Sequence, residues 1–534
     1  MISAAVLALS LSGFGLLVFG ERMGLGPQLA AFGVIAIFAI ATIALALASM
    51  TSRLNHYVTA SARGAGLRLA ALVTVMLLLG LRTRAADAGA VLPAGAVILG
   101  FLGARVLVWR TPWRNFLPQG TSMRLDAPDP RDRDPGTGTR GTLAVLALAT
   151  LLAAALLAVE FFSPTLDVLA AITDWPRPSL ALASIILSGC LILLGGMPAL
   201  GRAGVFLTAM AVITILFPFA MLALSDGIGK LGVLEIRGMA TQALTSAMAN
   251  ARLLATGGLE TLGLTLKAEW PSLALGFILG VIAVQPATAL PSRAGRFLAM
   301  TAGLALALAL LIILRANDQM VREIIASQIV ALPPSQWPLF VFDETLRGWL
   351  AVCGTFPEDA VAAARACGTG HPRTLLPAGA FRFDDGLAAP ALALAQGWPI
   401  TLGFIRGLLP TLLMLAAIAL FLHAAACGLG ERVLFRTLHP RALRSSRLAA
   451  IRLTQLALLI GLYLADRRGV RLDPLMFRWA LFGLAGIALV AMIADWLIAA
   501  IRFFRARRKA PENPAARPAA APNGDAALEP SIPK

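Results

Sequence analysis

Long apolar stretches without charge constrain this chain more than any other feature of its sequence. Segments 142–159, 206–224 and 411–427 contain no Asp, Glu, Lys or Arg. The hydrocarbon core of a bilayer is about 30 Å thick, and a helix of about 20 apolar residues spans it. A soluble helix would instead place polar residues on the face that meets water. We therefore expect an all-α polytopic membrane protein with about 12 transmembrane helices, in agreement with the mean hydropathy of +0.80.

Hydropathy also divides the chain into three parts. We place the spans at 2–20, 28–50, 67–82, 88–109, 142–164, 178–199, 204–225, 270–290, 296–315, 398–422, 448–466 and 474–500. The first lacks the basic segment and cleavage site of a signal peptide, so we keep it as a span. Residues 1–50 then hold two N-terminal helices and 51–500 a membrane core of ten helices. Residues 501–534 are a polar, Ala- and Pro-rich tail that we expect to be disordered.

The arginines predict the orientation in the membrane. They cluster at 105–140, 432–447 and 502–509, which all lie on one side if the spans are as placed. The positive-inside bias makes that side cytoplasmic. Both termini are then cytoplasmic, and the long loops 226–269 and 316–397 face outward. The exceptions are Arg82, Arg84, Arg467, Arg468 and Arg471.

This distribution also bears on partners. The net charge of +17 comes from short loops and span ends, so we expect the lipid bilayer as the partner and no nucleic acid. A bacterial inner (plasma) membrane fits the pattern. No protein partner is indicated.

The cysteines predict one disulfide. Of the four cysteines, Cys353 and Cys367 share the external loop 316–397, and an oxidising compartment permits a bridge between them. Cys190 and Cys427 lie in apolar surroundings and are expected to be packing residues. No spacing of Cys or His fits a metal site, and no catalytic motif lies in a usable loop. We therefore expect no metal, no cofactor and no enzyme activity.

Polar residues inside spans are costly, so they are candidates for function. Gln285, Pro286 and Thr288 are the substrate-binding candidates, because a proline within a span frees a backbone carbonyl at mid-depth. The alternative is a helix kink without a ligand.

Three ionisable residues in spans are the ion-coupling candidates: Glu160, His423 and Asp495. Each has an alternative. Glu160 and Asp495 are close enough to an interface to pair locally. His423 either moves protons or hydrogen-bonds a neighbouring helix. Gln455 is a further polar residue in the eleventh span.

The order of several short signals in the second half resembles a known family. Asp385-Gly386 opens a stretch in which Pro399, the segment 430–435, Pro440 and Arg452 follow without gaps. This stretch resembles the sodium:solute symporter family, and within it the cation/acetate symporter-like branch. The resemblance covers 230–500, and more weakly 50–110 through the segment 57–63.

The resemblance implies a five-plus-five inverted-repeat transporter-type core. Repeat one would occupy about 67–225 and repeat two about 270–500, with the external loop 316–397 inside the second. The charge pattern independently directs the third span outward and the eighth inward, as inverted repeats require.

The sequence departs from the family where its sodium site would be. The match places the family's serine–threonine pair at Ala416 and Ala417, and a methyl group cannot bind Na⁺, which prefers oxygen ligands. The run 69–79, where the family has a broken helix, contains no Gly or Pro. We therefore expect a degenerate sodium site.

Two functions remain open at this stage. One is a secondary transporter of a small organic solute, such as a carboxylate, without the usual sodium site. The other is a transport-incompetent pseudo-symporter that acts as a membrane partner or regulatory subunit. Fold alone does not decide between them.

Overall fold

The fold was obtained as a computed structural model. It describes residues 2–52, 54–58, 99–100, 103, 137–173, 175–224, 273–278, 329, 332–337, 341–342, 345, 350–369, 371–376, 380–383, 400–430, 433–434 and 443–509. The candidates Gln285, Pro286 and Thr288, the run 69–79 and the tail beyond Lys509 lie outside these residues. So do most of the third, fourth, eighth and ninth predicted spans.

Helices dominate the described residues. The long ones are α1 (Ile2–Arg22), α2 (Pro27–Leu47), α4 (Thr137–Thr173), α5 (Arg177–Gly189), α6 (Gly196–Leu224), α8 (Ile400–Cys427), α9 (Arg444–Arg467) and α10 (Pro474–Lys509). The short ones are α3 (Leu54–Val58) and α7 (Ala360–Ala366). Seven stretches within the described part of the chain are long and apolar enough to cross a membrane. An all-α polytopic membrane fold is thereby confirmed.

Helix α8 lies at the centre of the bundle. It packs against α4, α6, α9, α2, α1 and α5. Phe421 and Ala419 are 0% exposed, and Leu408 and Ile418 are 1% exposed. By contrast, α1, α9 and α10 present large apolar side chains such as Leu16, Leu453 and Trp479 outward, as expected for helices that face lipid.

A π-helical segment (Cys190–Gly195) follows α5 directly, and Gly196 ends it with φ 56° and ψ −139°. That backbone conformation is open to glycine and costly for residues with a Cβ. The predicted span 178–199 therefore divides here. The polar cluster described below depends on this break.

The loop 316–397 contains a small ordered module, which we call the loop module and which the all-α prediction does not include. Strands β1 (Leu350–Val352) and β2 (Phe381–Phe383) pair antiparallel, with Ala351 opposite Arg382. Val352 and Thr355 form a bridge around Cys353 and Gly354, which have φ 50° and 80°. Two central residues with positive φ are the signature of a type I′ hairpin turn.

Candidate functional site

A buried polar cluster links four elements at the end of the bundle where α8 ends and α9 begins. We call it the tyrosine cluster, and it consists of Tyr57, the Ile192 carbonyl, His423, Cys427 and Gln455. Tyr57 and Gln455 are 0% exposed and His423 is 2% exposed. The elements that contribute are α3, the π-helical segment, α8 and α9.

Close contacts connect the members of the tyrosine cluster in series. The Tyr57 hydroxyl lies 2.6 Å from Gln455 Oε1 and also contacts the Ile192 carbonyl oxygen. Gln455 Nε2 lies 2.8 Å from His423 Nδ1. On the other side of the ring, His423 Nε2 lies 3.5 Å from Cys427 Sγ. His423 is therefore in contact with Gln455 of the neighbouring helix α9 and with Cys427 of its own helix.

The local backbone makes room for the Tyr57 ring. A Cβ added at Gly196 would lie 2.7 Å from Cδ2 of Tyr57 and 2.7 Å from its carbonyl oxygen. Since real Cβ atoms do not approach that closely, a larger residue at Gly196 would displace the tyrosine. Burial raises the pKa of the Tyr57 phenol well above its usual range, so the hydroxyl stays protonated.

Two arginines flank the tyrosine cluster and hold the C-terminal end of α2. Arg452 lies over the Tyr57 ring, 5.1 Å from its centroid, and donates to the Thr51 carbonyl at 3.1 Å. Arg202 donates to the Ala48 carbonyl at 2.5 Å and to Ser49 Oγ at 2.8 Å. Cations near the last carbonyls of a helix are stabilising. The segment that leads into Tyr57 is therefore fixed from α6 and from α9.

A second polar cluster lies near the C-terminal end of α9. We call it the aspartate cluster, and it consists of Ser163, Asp167, Arg177, Asp466 and Arg471. Arg177 Nη2 lies 2.8 Å from Asp466 Oδ1 and 2.6 Å from Ser163 Oγ. Asp167 lies 3.2 Å from Arg177 and 3.8 Å from Arg471. This cluster joins α4, α5 and the C-terminal end of α9.

Glu21, at the end of α1, caps the start of α8. Its carboxylate accepts from the Thr401 amide at 2.6 Å and also from the Thr401 hydroxyl. A negative charge at a helix N-terminus is favourable. The first and the central helices are thereby connected at this end of the bundle.

Glu160 lies in α4, half-buried, on the turn before Pro164. Pro164 has no N–H, so it cannot donate to the Glu160 carbonyl four residues earlier. Within the described part of the chain the Glu160 carboxylate has no hydrogen-bond or ion-pair partner. It remains an ion-coupling candidate. Asp495 belongs to α10, where the structure describes its backbone only.

Ala416 and Ala417 occupy the middle of α8. Ala417 is 3% exposed, and Ala416 packs against the main apolar core. Thr411, the nearest hydroxyl residue on the helix, donates to the Leu408 carbonyl of its own helix at 2.5 Å. Between 412 and 422 the helix offers no side-chain oxygen, so α8 supplies no side-chain ligand for Na⁺ in this window.

Cys353 and Cys367 are joined as a disulfide, with their Cα atoms 5.3 Å apart. The bridge ties the hairpin turn after β1 to the C-cap of α7. Asp359 caps the other end of α7 through the Ala362 amide at 2.6 Å. The two ends of α7 in the loop module are thus fixed by a disulfide and by a side-chain cap.

Sequence reasoning missed Tyr57, Arg177 and Asp466 as members of polar clusters. Arg177 and Asp466 lie at the ends of spans, where charged residues are ordinary and give no signal. Tyr57 carried a usable signal, because it is one of only two tyrosines in the chain and lies outside the predicted spans. Its partners come from segments 135 and 398 residues away.

Comparison with known proteins gives the fold. No family model and no curated protein matches the chain. A solved structure described as the substrate-bound outward-open state of a Na⁺-coupled sialic acid symporter matches with a TM-score of 0.52 and 13% identity. The match covers 88% of this chain and 87% of that one. The fold is therefore that of a polytopic sodium symporter-like membrane protein, and this confirms the sequence resemblance at the level of fold.

Proposed function

We propose that the chain is a secondary transporter of a small organic solute, built on a sodium:solute symporter-like scaffold. The observation that carries the proposal is the match over 88% of the chain to a Na⁺-coupled sialic acid symporter. The five-plus-five repeat organisation and the likeness to the cation/acetate branch belong to the same proposal. A carboxylate is the solute class that this branch suggests.

Sodium is not the coupling ion in this proposal. Support comes from Ala416 and Ala417, which put methyl groups where the family places hydroxyl ligands. A hard cation needs oxygen ligands to replace its hydration shell, and the window 412–422 of α8 has none on its side chains. Glu160, which has no partner among the described side chains, and His423 are the residues on which proton coupling would depend.

Uptake by purified protein in lipid vesicles tests the function directly. Labelled acetate and sialic acid serve as probes, with Na⁺ and H⁺ gradients applied separately. We expect uptake that a proton gradient supports and that replacing Na⁺ by K⁺ leaves unchanged. A saturable dependence on Na⁺ would contradict the proposed loss of the sodium site, and no uptake of any probe would favour the alternative below.

The alternative is a transport-incompetent membrane subunit. It is favoured by the apolar packing of α8, where Ile418 and Ala419 are 1% and 0% exposed. In that case the protein would take up no solute under any gradient, yet would co-purify with a membrane partner from its native cells.

The orientation belongs to the proposal as well, with both termini cytoplasmic and 316–397 outside. The disulfide offers a test that needs no engineered site. In sealed right-side-out cells, an impermeant reductant followed by an impermeant maleimide should label Cys353 and Cys367. Without reductant, neither should react. Labelling only after the cells are opened would reverse the orientation, and labelling without reductant would disprove the bridge.

A further inference from the structure

The hydrogen-bond inventory of the tyrosine cluster is the starting point. The Tyr57 phenol has a single proton, yet its oxygen contacts two acceptors as placed, the Ile192 carbonyl and Gln455 Oε1. One proton cannot serve both acceptors. The amide oxygen and nitrogen of Gln455 have nearly the same shape. Exchanging their positions places an N–H donor, instead of a second acceptor, next to the Tyr57 oxygen.

With the Gln455 amide turned by 180°, the contacts form one series of hydrogen bonds. Cys427 S–H donates to His423 Nε2, and His423 Nδ1–H donates to the Gln455 oxygen. One N–H of the Gln455 amide then donates to the Tyr57 oxygen, and the Tyr57 hydroxyl donates to the Ile192 carbonyl. Each of the four side chains thus has at least one hydrogen-bond partner, as buried polar groups in native proteins usually do.

This directed chain connects segments that are remote in sequence. Tyr57 enters from the short α3, and its acceptor belongs to the π-helical segment after α5. Its donor, Gln455, lies on α9. Gly196 closely approaches Cδ2 and Cε2 of the ring, and the Arg452 guanidinium lies over the ring. Tyr57 also belongs to a buried apolar group with Leu54, Ala426, Leu448 and Ile451.

We propose that Tyr57 is a latch that holds this end of the bundle closed, and that its withdrawal from between Gln455 and the Ile192 carbonyl opens the transport pathway on that side. The proposal rests on the proposed transport function. A transporter with one central site must open to one side at a time. Tyr57 is a positioning residue in this scheme and does not bind the solute.

Alkylation of Cys427 reports on the latch without any solute. Cys427 belongs to the buried apolar group around Tyr57, and Cys190→Ala leaves it as the one cysteine outside the disulfide. In that background, Tyr57→Phe keeps the ring and removes the hydroxyl. We expect the rate of labelling by membrane-permeant N-ethylmaleimide to rise about tenfold, a shift of about 1.4 kcal/mol in the opening equilibrium.

The matched control is Tyr463→Phe. Tyr463 is the chain's other tyrosine and packs at the edge of the main core on α9. Its loss of a hydroxyl should leave the labelling rate of Cys427 unchanged. An equal rise in both variants would mean that the labelling reports general loosening, and that result would overturn the latch.

Gln455→Leu removes the Tyr57–Gln455 bond by changing the other partner. It serves as the test if Tyr57→Phe does not fold. It should raise the labelling rate by a similar factor. In the double variant the labelling rate should rise by less than the product of the two single effects, because both changes remove the Tyr57–Gln455 bond. Unchanged labelling in both single variants, or two effects that multiply in full, would contradict the proposal.

The outcomes separate the latch from the proposed function. Faster labelling in vesicles that take up no solute supports the latch and contradicts transport. Unchanged labelling in vesicles that take up solute contradicts the latch and leaves transport standing.

Discussion

Helix α9 is held near its middle and at its C-terminal end by different chemistry. The tyrosine cluster, which includes Gln455 at the middle of α9, is uncharged and 0 to 9% exposed at every side chain. The aspartate cluster near its end is ionic, and the exposed fraction of its charged side chains ranges from 9% for Asp466 to 73% for Arg471. Gln455 and Asp466 are 11 residues apart, about 16 Å along a helix. One helix therefore connects a buried, uncharged cluster to a partly solvent-exposed, ionic one.

This difference predicts how each cluster responds to mutation and to salt. In a dry, low-dielectric place a hydrogen bond is strong, and an unpaired partner is costly. Ion pairs near water gain little and are screened by salt. Mutations in the tyrosine cluster should therefore lower the free energy of unfolding most. Salt should change only the contribution of the aspartate cluster.

The largest effect is expected for Tyr57→Ala. It leaves a cavity between Gly196 and Arg452 and removes the shared hydroxyl, so we expect a loss of about 3–5 kcal/mol of stability. The measurement is denaturant unfolding in detergent micelles. Tyr463→Ala, at a half-buried position on α9, should cost clearly less. Equal losses would remove the distinction between the two positions.

An intermediate effect is expected for Asp466→Asn. The substitution keeps a hydrogen-bond acceptor for Arg177 and removes the charge, so about 1–2 kcal/mol should be lost. The same unfolding experiment measures it. A loss of unfolding free energy as large as that for Tyr57→Ala would show that the aspartate cluster is shielded from solvent.

The smallest effect is expected for Asp167→Asn, at about 0–1 kcal/mol, because Asp167 is 47% exposed. Its effect should vanish in 1 M KCl, where charges are screened within about 3 Å. The cost of Tyr57→Phe, measured in parallel, should not change with KCl. A salt dependence shared by both variants would break the comparison.

Much of the fold could be predicted from the sequence, and the exceptions have physical causes. The spans 2–20 and 474–500 lie within α1 and α10, and residues 400–422 of the span 398–422 lie within α8. Apolar length is a local property, so the sequence alone predicts it. The span 178–199 was placed across Gly196, since hydropathy does not respond to backbone conformation. The strands of the loop module are three residues each, too short for a periodic pattern.

The candidate site was predictable only in part. His423 and Gln455 stood out as polar residues in apolar spans. Tyr57 did not, because its role depends on the Ile192 carbonyl, and a backbone atom has no sequence signal. Arg177 and Asp466 each resemble an ordinary residue at a span end until α5 and α9 are seen side by side.

The sequence by itself determined that this chain enters a membrane, because unbroken apolar helices are stable only where no water competes for their surface. It also determined that positions 416 and 417 offer no side-chain oxygen, since alanine has none in any fold. Tertiary structure alone decided that Tyr57, His423 and Gln455 meet, and that Asp466 finds Arg177. Such contacts depend on how helices far apart in the chain pack, and in lipid that packing depends on the fit of whole helix surfaces and on bonds between helices.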